Sequence, residues 1–238
     1  MTEQTGMLYL VPTPIGNMGD ITARAVETLR MVDLVACEDT RVSGMLLKKF
    51  ELKKRLISYH NFNEADRADY LLEELREGKS VAVVTDAGSP GISDPAYRVV
   101  RAALAGGIEI VALPGPCALI PALTASGLPT DRFFFEGFLS NKSSARRKRL
   151  ERLAGFDHTL VFYESPHRVA KTLTDMYEVL GDREACVARE ISKKFEQYMR
   201  GSLSVLMAMA GAKSMKGEIV IVVAGRSGKP DEPAEEQS

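Results

Sequence analysis

Val81 to Pro95 reads VAVVTDAGSPGISDP. Apolar and β-branched residues run up to Asp86. The ten residues from Asp86 then bring two glycines, two prolines, two serines and a second acid. This predicts a buried strand, Val81–Thr85, that stops in a stiff, sharply turned loop. A helix is expected to follow, with Asp94 as N-cap and Pro95 at its first position. Open α/β sheets hold ligands at the carboxyl ends of their strands. The loop is therefore a candidate ligand site, and the plainer alternative is a tight structural turn.

Two further loops have the same character. Leu8–Val11 is a short apolar run that ends in Pro12-Thr13-Pro14-Ile15-Gly16-Asn17-Met18-Gly19-Asp20, with Asp20 placed to cap a helix over 21–31. Ile108–Leu113 ends in Pro114-Gly115-Pro116-Cys117, and a short helix is expected up to about Ala125. Glycine lets backbone approach a ligand closely, and proline stiffens a loop in advance. Loops set in advance lose less entropy on binding.

Several chemistries are excluded by pattern. There is no G-x-G-x-x-G after the first strand and no G-x-x-x-x-G-K-[ST], so dinucleotide and nucleotide-phosphate fingerprints are absent. No CxxC or HExxH spacing occurs, and no metal site is expected. Cys37, Cys117 and Cys186 are far apart, as suits reduced thiols in a cytoplasmic protein. No apolar run approaches the roughly 20 residues that span a bilayer. The amino terminus lacks a signal peptide's basic-then-apolar layout.

The 238 residues suit one large or two small domains, and the pattern divides them. Residues 7–115 alternate strand and helix, which implies a mostly parallel sheet covered on both faces. Strands are expected at Leu8–Val11, Leu34–Cys37, Leu56–Ser58, Val81–Thr85 and Ile108–Leu113. Helices are expected near 21–31, 41–49, 64–76 and 95–105. Residues 116–227 read as a second α/β domain with a mixed sheet: Phe133–Glu136, Thr159–Tyr163, Ala185–Arg189, Gln197–Gly201 and Ile219–Val223. Leu203–Ala210 reads as a helix. The fold class is thus two α/β domains with a cleft between them, a common place for small-molecule sites. Residues 1–6 are expected to be loose, and the acidic tail 228–238 disordered.

The net charge of −1 hides an uneven distribution. Lys142, Arg146, Arg147, Lys148, Arg149 and Arg152 sit within eleven residues that hold one acid. Such density suits phosphate backbones, and a solvated helix face is the bland alternative. Leu150 and Leu153 place the run on an amphipathic helix.

The segments LVPTPIGNMGDIT, ACEDTR, SYHNFNE, TDAGSPGISDP, LPGPCA, FYESPHR and AREISKKFE, in this order from about Leu8 to Arg226, resemble the tetrapyrrole methylase-like superfamily. Within it they resemble the ribosomal RNA small subunit methyltransferase I family. Pro12-Thr13-Pro14-Ile15-Gly16-Asn17 departs from the glycine-rich first loop usual in tetrapyrrole enzymes, which disfavours a tetrapyrrole substrate. The resemblance implies an S-adenosylmethionine-dependent homodimer that methylates the 2′-oxygen of a cytidine in small-subunit (16S) rRNA, free or in the assembled small subunit. It places cofactor contacts at Thr13 and Pro14, at Asp86, Gly88, Ser89, Gly91 and Ile92, at Pro116 and Cys117, and at Tyr163, Ala188 and Glu218. Each also has a purely structural reading.

A 2′-hydroxyl is a poor nucleophile while protonated, so a base near it helps. The candidates for base or orienter are Asp39, His60, Glu164 and Lys193. Arg41 is a candidate grip on an RNA phosphate. Adjacent Glu38 and Asp39 raise the prospect of one elevated carboxylate pKa. Lys142, Arg146, Arg147, Lys148 and Arg149 are the candidate RNA contacts. The competing readings are a small-molecule, tetrapyrrole-type methyltransferase of the same fold and an RNA-binding module without chemistry.

Overall fold

Val81, Ala82 and Val83 are all fully buried. A strand can bury every residue only where both faces of its sheet are covered. The computed structural model, which describes residues 6–212 and 215–226, shows that arrangement. The chain divides into two compact units, Met1–Cys117 and Ala118–Ser238.

In the first unit, β1 (Met7–Leu10), β2 (Leu34–Cys37), β3 (Arg55–Ser58), β4 (Val81–Val83) and β5 (Glu109–Ala112) form one sheet in the order β3-β2-β4-β1-β5. Every neighbouring pair is parallel. Side chains alternate faces along a strand, and the core divides accordingly. Leu8, Leu34, Ala36, Val81 and Val83 pack with α3 (Glu64–Arg76) and α4 (Tyr97–Ala105). Tyr9, Val11, Val35, Cys37 and Ala82 pack with α1 (Ala23–Met31) and α2 (Thr40–Lys49).

The second unit holds α5 (Leu119–Thr124), β6 (Phe133–Phe138), α6 (Ser143–Leu153), β7 (Thr159–Glu164), α7 (Val169–Leu180), β8 (Glu184–Arg189), β9 (Gln197–Ser202), α8 (Leu203–Ala212) and β10 (Ile219–Val223). Its sheet runs β6-β7-β10-β8-β9. Only β6 and β7 pair in parallel, so the sheet is mixed. Leu160, Phe162, Val187, Ile219 and Ile221 form one core with Leu150 and Leu153 of α6, Leu173 and Met176 of α7, and Leu203 and Leu206 of α8.

Some local expectations are corrected. Helix α4 starts at Tyr97, and Asp94 does not cap it: its carboxylate accepts the Thr85 hydroxyl at 2.9 Å. Helix α1 is capped by Thr22, whose side chain accepts the Ala25 amide at 3.0 Å, and not by Asp20. Gly6 is not loose, since it is buried and its amide donates to the Leu75 carbonyl at 2.8 Å. Helix α7 has no counterpart among the expected elements. The tail 228–238 lies outside the described residues. No helix among the described residues is long and apolar enough to cross a membrane.

Candidate functional site

The three Gly/Pro loops meet at the carboxyl edge of the first sheet. Strands β1 and β4 are neighbours, so the loops after them leave side by side. Thr13 and Gly88 exchange both backbone hydrogen bonds, at 2.9 and 3.0 Å. The buried Thr13 hydroxyl donates to the Thr85 carbonyl at 2.9 Å. Ser89 Oγ donates to the Pro116 carbonyl at 2.9 Å, which ties in the third loop. A Cβ on Gly115 would come within 2.7 Å of Pro12, so the third loop also lies against the first. Gly88 and Gly91 have φ of +94° and +84°, and Ser93 has φ of +64° without being glycine. Such backbone persists only where its surroundings enforce it. Thr13, Pro14, Asp86, Gly88, Ser89, Gly91, Ile92, Pro116 and Cys117 are thus brought together on one unit.

The acids beside these loops do different things. Asp39 caps α2, accepting the Arg41 amide at 2.8 Å, and its two oxygens also take the Arg41 guanidinium at 2.6–3.2 Å. The hydrogen bonds from Arg41 lower the pKa of the Asp39 carboxyl to about 2. A carboxylate so stabilised is a weak base, which corrects the expectation for Asp39. Arg41 leaves 87% of its side chain exposed. Asp86 accepts the Asp39 amide at 3.1 Å. Burial raises the carboxyls of Glu38, Asp86 and Asp94 above the ordinary range, and negative neighbours add to each rise. The elevated member of the Glu38–Asp39 doublet is therefore Glu38.

In the second unit, Tyr163 of β7 and Ala188 of β8 both pair with Val220 of β10, two residues beyond Glu218. Tyr163 and Ala188 are thereby level with each other, and Glu218 lies just before β10 at the same end of that sheet. Glu164, expected as a base, is 3% exposed and held in a structural network. It accepts the Ser165 amide at 2.6 Å, Arg168 at 2.5–2.7 Å and the Thr172 hydroxyl at 2.5 Å. It fixes the start of α7, with its two oxygens held by Arg168 and Thr172. Lys193 bridges Glu190 and Glu218, both at 3.0 Å. Burial works against its charge, but its hydrogen bonds to Glu218 and Glu190 outweigh that and hold the ammonium protonated. Lys193 is therefore a strut and not a base.

The basic helix α6 is less uniform than its sequence. Arg146 is 3% exposed, and its guanidinium meets Asp175 of α7 at 2.5–2.6 Å and the Ser140 carbonyl at 3.2 Å. The expectation of an RNA contact there is corrected, because Arg146 faces the core with Leu150 and Leu153. Arg147 pairs with Asp175 and Glu178. Arg149 pairs bidentately with Glu136, at 2.6 Å for each bond. Lys142, Lys148 and Arg152 are exposed.

Residues 7–206 match the family Tetrapyrrole (Corrin/Porphyrin) Methylases. A Synechocystis protein named Ribosomal RNA small subunit methyltransferase I is 50% identical over 221 residues, which cover 92% of this chain and 79% of that one. Its namesake from Escherichia coli O157:H7 is 47% identical over 230 residues, covering 95% and 80%. The chain belongs to the ribosomal RNA small subunit methyltransferase I family. Among solved structures, diphthine synthase matches with a TM-score of 0.70 at 16% identity, over 93% of this chain and 91% of that one. Uroporphyrin-III-C-methyltransferase from Thermus thermophilus matches with a TM-score of 0.60 at 18% identity, over 92% of each. At these identities the likeness is one of fold.

Membership of the family does not reveal which cations of α6 are structural; their side-chain partners do. Replacing Arg146 with Ala removes the most buried partner of Asp175 and leaves that carboxylate to Arg147 and Ser143. Denaturant unfolding is expected to show a loss of about 2–3 kcal/mol for R146A, and under about 0.5 kcal/mol for K148A.

Proposed function

We propose that this protein transfers a methyl group from S-adenosylmethionine to the ribose 2′-oxygen of a cytidine in small-subunit rRNA. The observation that carries the reading is the clamped three-loop edge of the first sheet, with part-buried acids beside it, in a chain about half identical to rRNA small subunit methyltransferases. The donor set fits the methyl donor. Its sulfonium and ammonium are cationic, and Asp86, Asp94 and Glu38 are carboxylates whose desolvation a nearby cation offsets. Bound there, S-adenosylmethionine supplies a methyl group activated for direct displacement.

Thr13, Pro14, Gly88, Ser89, Gly91, Ile92, Pro116 and Cys117 would hold it through close backbone approach. Their locked loops lose little entropy when the ligand arrives. Tyr163, Ala188 and Glu218 complete the proposed cofactor set. The protein's remaining task is to place the ribose oxygen in line with the methyl carbon, roughly 3 Å away. Arg41 is proposed to grip a phosphate with its exposed guanidinium.

The exposed cations of α6 support RNA as substrate, since solvent-facing lysine and arginine neutralise phosphates. The homodimer is proposed from the resemblance. The apolar exposed residues Val205 and Met209 of α8 support such self-association. We place the protein in the cytoplasm, with its substrate.

The test is methyl transfer from labelled S-adenosylmethionine to small ribosomal subunits lacking the modification, with the labelled position mapped. Label on one cytidine 2′-oxygen is the expected result. Measurable cofactor binding without label on subunits or free rRNA would move the tetrapyrrole-type alternative to first place.

A triple Ala variant of Lys142, Lys148 and Arg152 is expected to raise the dissociation constant for RNA. The slope of log K against log salt should fall by about 0.7–0.9 for each phosphate no longer neutralised. Cofactor affinity should not change. An unaltered slope would return α6 to a plain solvated face.

A further inference from the structure

Four carboxylates follow β2 and β4, and three of them are occupied. Asp39 caps α2 and grips Arg41. Asp86 accepts the Asp39 amide, and Asp94 accepts the Thr85 hydroxyl. Among the described residues, no hydrogen bond or ion pair engages Glu38. Glu38 is half-buried at the end of β2, directly after Cys37.

A second incomplete group stands on the neighbouring strand. Parallel pairing sets Cys37 against Ser58 and so carries Tyr59 level with Glu38, with His60 next. Asn63 fixes the protonation of that imidazole. Its Oδ1 accepts the His60 amide at 2.8 Å, so its other terminal atom is the amide nitrogen. That nitrogen donates to the Ser58 carbonyl at 3.2 Å and lies 3.3 Å from His60 Nε2. An amide nitrogen only donates, so Nε2 accepts, and the proton of the neutral ring sits on Nδ1. Nδ1 is buried and has no hydrogen-bond partner. A buried N–H without an acceptor is costly, so one that persists calls for an explanation.

We propose that Glu38 is the proton acceptor of the methyl transfer and that His60 is its positioning residue. The inference rests on the rRNA methyltransferase reading and names the base that reading lacks. As the ribose oxygen bonds to the methyl carbon, the carbon–sulfur bond breaks and its electron pair stays on sulfur. The hydroxyl proton passes to the Glu38 carboxylate and later leaves to water. A sulfonium and a carboxylate thereby become a neutral thioether and a neutral acid, so charge balances. In the proposed step His60 Nδ1–H, which has no acceptor among the described residues, turns to the ionised Glu38 carboxylate and keeps it in place. Burial raises the Glu38 carboxyl above its ordinary value, and the negative charges of Asp94, Asp86 and Asp39 add to the rise, which only a positive charge on His60 would oppose. That direction suits a base.

The test is the pH profile of methyl transfer to small subunits lacking the modification, run with wild type, Glu38→Gln, Glu38→Asp and His60→Gln. Glu38→Gln is expected to lower kcat by about 10²-fold or more and to abolish the acid limb of the profile. Because Glu38 is one of the carboxylates beside the cationic cofactor, kcat is read at saturating S-adenosylmethionine and RNA, so that a change in affinity does not enter the comparison. Glu38→Asp should keep the limb at reduced kcat, which separates a chemical role from a folding defect. His60→Gln should cost less and move the limb to higher pH. Glu38→Gln with the limb intact and kcat within about threefold of wild type, well short of the loss expected for a missing base, overturns the assignment. An unmoved limb in His60→Gln overturns the positioning role. Label absent from RNA with the wild-type enzyme overturns the parent reading, and this one with it.

Discussion

The reciprocal hydrogen bonds between Thr13 and Gly88 set the conditions for everything at the carboxyl edge of the first sheet. Two neighbouring parallel strands deliver loops that would otherwise diverge. The Thr13–Gly88 pair, with the Thr13 hydroxyl on the Thr85 carbonyl, closes them on each other. Ser89 extends the closure to Pro116. The positive φ of Gly88 is part of the arrangement, since an L side chain rarely adopts it. The prolines remove freedom the loops would lose on binding.

Fixing these loops also fixes the electrostatics. The same turns that carry the glycines carry Asp86 and Asp94, and the end of β2 adds Glu38 and Asp39. Gathering acids in part-buried surroundings raises the cost of their charge, and three of them respond with raised pKa values. Asp39 escapes because Arg41 and the amino end of α2 stabilise its ionised form. Two adjacent acids therefore differ in character: one is a helix cap, the other an unengaged carboxylate. A cationic ligand at this edge relieves the strain of the set, which links the fold to the choice of cofactor.

Much of this is legible in the sequence, for definite reasons. Continuous burial of Val81–Val83 and alternation in Leu8–Val11 follow from the periodicity of strands in a covered sheet, and Gly/Pro clusters mark where such strands end. Other features depend on partners distant in the chain. Nothing near Glu164 announces that Arg168 and Thr172 would engage it, because the contact is made by the turn from β7 into α7. Arg146 looks like its neighbours in composition. Its spacing of four and seven from Leu150 and Leu153 is the available signal that it faces the core. The left-handed backbone at Ser93, Glu190 and Ser192 has no residue signature, because each is held by its surroundings.

If the clamped edge of the first sheet receives S-adenosylmethionine, the three loops that form it should be protected together. Amide hydrogen–deuterium exchange with and without the cofactor reads this residue by residue, under conditions where binding is independently measured. Exchange is expected to slow over 12–17, 86–92 and 114–117. Binding that leaves all three loops unprotected would put the cofactor elsewhere on the protein and remove the basis for the proposed site.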